Sequence, residues 1–75
     1  MNDAEKLKQY EEGLHALELS LDIQLDDGNW NFNAYMHGFA NALILARAFM
    51  IGEEPKFLPR PEQWLEDELF VDNED

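Results

Sequence analysis

Residues 34–51 carry fourteen apolar side chains in eighteen positions, interrupted only by His37, Gly38, Asn41 and Arg47. This run constrains the fold more than any other part of the chain. Asn33 is a suitable N-cap before it, and Gly52, followed by Glu53-Glu54-Pro55, closes it as a C′ residue. A helix that is apolar on nearly every face must be covered on several sides. A membrane span needs roughly 20 apolar residues free of internal charge. His37, Asn41 and Arg47 argue against one here. One amphipathic helix covers too little of this surface, so a second copy of the chain is expected to cover the rest.

Within the run, Ala34, Gly38, Ala42 and Ala46 recur at every fourth residue and form a groove that another helix can approach closely. Met36, Phe39, Leu43 and Met50 form a bulkier ridge on a neighbouring face. His37 and Asn41, one turn apart, are expected to hydrogen-bond across the dimer interface, where a buried polar pair sets register. Gly38, Asn41, Ala42 and Ala46 are therefore the expected self-association residues.

A first helix is expected over about residues 3–24. Asn2 and Glu5 have the spacing of a capping box. Leu7, Tyr10, Leu14, Leu17 and Leu21 then recur at spacings of 3, 4, 3 and 4, which gives one apolar seam. Gly13 inside the pattern costs about 1 kcal/mol relative to alanine, a sign of a close contact or a weak spot. Arg47 is the expected ion-pair partner for acids on this helix.

Asp26-Asp27-Gly28-Asn29 breaks the pattern with turn chemistry, and Trp30 and Phe32 are expected to fold back over the helix pair. Asp27, Asn29, Asn31 and Asn33 imitate the start of a calcium loop. Phe32 stands where that loop needs glycine, and Gly38 where it needs glutamate, so turn and cap roles fit better. Residues 56–61 read as an extended strap with two prolines. Pro61 suits the first position of a short helix over about 61–69, with Trp64, Leu65 and Leu69 facing inward. Residues 71–75 form an acidic tail. The expected fold class is all-α: a helical hairpin within residues 1–70, with a short C-terminal helix or strap, dimerising into a four-helix bundle.

The chain has 75 residues, with 17 acids against 5 lysines and arginines, a formal charge of −12. No basic patch offers itself to phosphates, so direct binding to nucleic acid or to an anionic membrane is not expected. Without cysteine there is no disulfide, thiol nucleophile or thiolate-bound zinc. No basic segment followed by an apolar run opens the chain, and cytoplasm is the expected compartment. Glu12 and His15 have the Glu-x-x-His spacing of carboxylate di-metal bundles. Their place beside the seam favours a surface pair, and no metal or cofactor is assigned. No phosphate loop or activated nucleophile is present, and an enzyme is not expected. Glu11, Glu18 and Asp22 share one helical face, with about 10 Å between the first two by helical rise. Such rows of acids can imitate nucleic-acid phosphates.

The run Tyr35-Met-His-Gly-Phe-Ala-Asn-Ala-Leu-Ile-Leu-Ala46, followed by Gly52-Glu-Glu-Pro-Lys-Phe-Leu-Pro-Arg-Pro61, resembles a pattern in a family of small acidic proteins of tailed bacteriophages. The family pattern commonly has glycine at the position of Ala42, which keeps that site small. The resemblance spans about residues 10–65. It implies a phage origin and expression in the cytoplasm of an infected host, and brings no catalytic residue with it. With the acidic surface, it leads to the expectation of a non-enzymatic protein that binds and modulates a host protein. A nucleic-acid-processing or defence enzyme with a basic surface is the expected target. The alternative is a homo-oligomeric structural or accessory phage protein whose only partner is itself.

Overall fold

The computed structural model describes residues 2–70. The expected acidic tail at 71–75 and the side chain of Leu69 lie outside the described residues. Three helices follow in order: α1 (Asp3–Gln24), α2 (Ala34–Ile51) and α3 (Leu65–Phe70). No strand occurs among the described residues, and α1 packs against α2. The fold is an all-α helical hairpin.

Local chemistry explains the helix ends. The Glu5 amide donates to Asn2 Oδ1 at 2.8 Å and the Asn2 amide to Glu5 Oε1 at 3.2 Å, which completes the capping box. Asn33 Oδ1 accepts from the Met36 amide at 2.9 Å and starts α2. Gly52 ends it at φ 74°, in the left-handed region, with its amide on the Ala48 carbonyl at 2.9 Å. Gly13, in contrast, lies in an open helix interior where a Cβ would meet nothing within 4 Å. It is a weak spot without a close contact. Gly13→Ala should therefore stabilise the protein by about 0.8–1 kcal/mol. Gly52→Ala should cost about 1 kcal/mol or more, because the added Cβ opposes the left-handed backbone. Thermal melts of the two variants should shift in opposite directions.

Three side-chain ties hold the hairpin antiparallel. The Tyr10 hydroxyl donates to the Met50 carbonyl near one end. Arg47 Nε donates to Glu18 Oε2 at 3.0 Å in the middle, the ion pair expected for Arg47. Gln24 Nε2 donates to the Met36 carbonyl at 3.4 Å near the other end. Along the α1 seam Leu21 is buried, and Leu14 and Leu17 are half-buried. Leu7 and Tyr10 are exposed, contrary to the seam pattern. Tyr10 is already level with Met50, so about the first two turns of α1, Leu7 included, extend past the end of α2.

The strap covers a second side of α2. Asn41 Oδ1 accepts from the Leu58 amide at 2.8 Å, and Asn41 Nδ2 donates to the Leu58 carbonyl at 3.3 Å. His37 Nε2 lies 2.9 Å from the same carbonyl. A carbonyl only accepts, so this ring nitrogen carries the proton. The expectation that His37 and Asn41 bond across a dimer interface is thus corrected: both hold the chain's own strap. Their polar groups are the nearest partners for a backbone with no sheet or helix to satisfy it.

Trp30 and Trp64 flank His37, with ring centroids at 6.4 and 5.6 Å. The α3 helix begins at Leu65, four residues later than Pro61 suggested. The Leu65 and Glu66 amides donate to the carbonyls of Asn31 and Phe32 at 3.2 and 2.8 Å. These tertiary bonds satisfy the unpaired amides of the first turn and set where the helix starts. Residues 29–33 form a series of turns, and Trp30 folds back beside His37 of α2. Asn31 Oδ1 accepts from the Gly28 amide, and Asn29 Nδ2 donates to the Ile23 carbonyl, so these asparagines act in turns.

Candidate protein-interaction surface

The fold is thin. It measures 65 × 19 × 15 Å, and its radius of gyration is 16.7 Å, against about 11 Å for a compact chain of this length. A helix with side chains is about 10 Å wide, so two helices and a strap fill that cross-section without a deep interior. Leu21, Gln24, Ala40 and Ala48 are the buried residues among those described, and no large side chain is fully buried.

At about 100° per residue, α2 has three sides. Met36, Arg47 and Met50 contact α1 through the ties above. His37 and Asn41 face the strap. The third side is open: Tyr35, Phe39, Ala42, Ala46 and Phe49 are all exposed. Phe39, expected in a ridge with the half-buried Met36, Leu43 and Met50, belongs to this open side. Gly38, Ala42 and Ala46, expected to associate, are exposed there or at its edge. Asn41 leaves that set because both ends of its amide are engaged with Leu58. The strap supplies part of the cover that was expected from a second copy.

The aromatic members of this side were legible in the sequence. Residues 35, 39, 42, 46 and 49 recur at spacings of 4, 3, 4 and 3, the same seam signature that identified α1. The four-residue repeat of small side chains, 34, 38, 42 and 46, overlaps this seam at Ala42 and Ala46. Leu58 gave no signal, because its role rests on its backbone.

The acids of α1 occupy a second flank. Glu11, Glu18 and Asp22 fall within about 40° of one another around the helix axis. Their environments differ. Glu11 and Asp22 are exposed, whereas Glu18 is paired with Arg47, both side chains remaining about 40% exposed. Exposed pairs of this kind contribute about 0–1 kcal/mol, so Glu18 is only partly withdrawn from the negative field.

Beside this flank, a cleft of about 350 Å³ opens between α1, α2 and the start of the strap. Leu21, Ile44, Ala48 and Leu58 line it, with Arg47 and Lys56 on its walls. Glu12 and His15 are exposed on α1. No group of three His, Asp or Glu side chains able to hold a metal occurs among the described residues. The functional groups that do converge are carboxylates on one flank and apolar side chains on another. No family model, curated protein or solved structure matches the chain.

Proposed function

We propose that the chain is a non-enzymatic interaction protein, of the tailed-bacteriophage type that it resembles, which binds and modulates a host protein through its acidic flank. The observation that carries this reading is unneutralised charge. Among the described residues Glu18–Arg47 is the one ion pair, while Glu11 and Asp22 stand exposed beside it. Glu11 and Asp22 project from a rigid helix into solvent, so their field reaches a partner without loop ordering. A basic groove built for nucleic-acid phosphates is the natural counterpart. The fitting target is a nucleic-acid-processing or defence enzyme, with the chain acting as a mimic of its acidic ligand.

Charge reversal tests this directly. Glu11→Lys with Asp22→Lys should abolish capture of such an enzyme from host lysate, while circular dichroism stays unchanged. The wild-type complex should weaken steeply with added salt and be displaced by competing duplex DNA. Unchanged capture by the double variant would overturn the proposal. A complex that contains only this chain and resists salt would instead mark a homo-oligomeric accessory protein.

A further inference from the structure

We infer that the open side of α2 is the interface for a second copy of this chain, packed antiparallel through Phe39, Ala42, Ala46 and Phe49. This inference rests on the apolar seam and is independent of the acidic flank. The exposure is large: Tyr35 is 78%, Phe49 76% and Phe39 45% accessible. The chain exposes 5607 Å², against about 4,800 Å² for a compact monomer of its mass. That excess is spread over an elongated fold, and the open side of α2 contributes three of its most exposed aromatic side chains.

The seam is complementary to itself. Read along α2, the side chains run Phe39, Ala42, Ala46, Phe49, an order of sizes that is the same in both directions. A two-fold axis pairs residue i with j and j with i, and so requires this property of a surface that binds its own copy. With the axis level with Ile44, Ala42 meets the partner's Ala46 at the crossing point. Phe39 then meets the partner's Phe49 where the helices diverge. Small residues at the crossing and large ones beyond it allow close approach followed by filled space.

Charge permits this occupant and favours one orientation. The α2 helix contains no acid, and α1 with its carboxylates packs on a different side. Two chains of charge −12 can therefore meet here with their acidic flanks apart. In the antiparallel arrangement Glu53 and Glu54 fall beside the first turn of the partner's α2, where the helix dipole favours acids. A parallel arrangement would set them against their own copies.

Light scattering on the full chain should give twice 8.8 kDa at micromolar concentration. That mass should hold or rise as salt increases, because screening reduces repulsion between the acidic copies. Phe39→Glu with Phe49→Glu should halve the mass with helix content retained, whereas Leu19→Glu, on the far side of α1, should leave the dimer intact. Because the chain has no cysteine, single substitutions can report orientation. Mixed Ala42→Cys and Ala46→Cys chains should form a disulfide with each other and not with themselves. A wild-type monomer, or a dimer that survives the double glutamate variant, would overturn the inference. So would self-linked Ala42→Cys chains, or a wild-type chain that stays monomeric and partitions into neutral phosphatidylcholine vesicles through α2. Loss of the dimer with host capture intact, or the reverse, separates this inference from the acidic-flank proposal.

Discussion

Asn41→Leu should release the strap from α2 and cost about 2–3 kcal/mol. Asn41 makes two hydrogen bonds to the Leu58 backbone, at 2.8 and 3.3 Å. Each contributes about 1 kcal/mol net, and a partly buried amide left without a partner adds to the loss. Leucine fits the space of the side chain but leaves the Leu58 amide without a partner. For a chain of this size, each kcal/mol moves the melting temperature by about 4–8 °C, so a fall of about 10–20 °C is expected. Asn41→Asp separates hydrogen bonding from shape. It still accepts from the Leu58 amide but turns an acceptor toward the Leu58 carbonyl, and should also destabilise at neutral pH. Limited trypsin digestion gives a local readout, because Lys56 lies in the strap and Arg60 is shielded by the following proline. The freed strap should be cut after Lys56 faster than in the wild type. A variant with unchanged melting and unchanged cleavage would show that the strap is held by something other than Asn41.

The strap also shows what could be read in advance and what could not. The bounds of α1 and α2 were legible because local chemistry sets them: the Asn2–Glu5 capping box, the Asn33 cap and the left-handed Gly52. Pairing of Arg47 with an acid of α1 was legible from charge, since α2 carries no other formal charge. Docking of Leu58 on Asn41 was not. It joins residues 17 apart through a backbone amide and carbonyl, groups that every residue possesses. An apolar helix with two polar residues one turn apart suggested an external partner, when the chain's own extended segment had equal need of donors and acceptors. The start of α3 at Leu65 is not legible for a related reason. The preference of proline for a first helical position is local, whereas the bonds from Leu65 and Glu66 to Asn31 and Phe32 are tertiary. On the candidate surface, the grouping of Glu11, Glu18 and Asp22 followed from helical spacing alone. Which of the three is already paired depended on the crossing of the two helices.

Trp64→Ala should have an effect of similar size, confined at first to the C-terminal segment. The Trp64 ring lies 5.6 Å from the His37 ring, and the Arg60 guanidinium sits 5.9 Å from its centroid. Deleting a fully buried tryptophan side chain costs about 3–5 kcal/mol, and Trp64 is half-buried, so about 2–3 kcal/mol is expected. The consequence for α3 is disproportionate. It has six residues, far below the roughly 12–15 that an isolated helix needs, and therefore forms only while docked. Its docking rests on the ring of Trp64, on the Leu65 and Glu66 amides, and on Asn33 Nδ2 donating to Glu66 Oε2 at 3.2 Å. Without the ring, these bonds must hold a short segment against its full conformational entropy. Hydrogen exchange at the Leu65 and Glu66 amides should rise sharply, while amides in the middle of α1 retain most of their protection. Trp64→Phe keeps an aromatic face toward His37 and should recover more than half of the loss. Slow exchange at both amides in Trp64→Ala would mean that backbone bonds alone anchor α3.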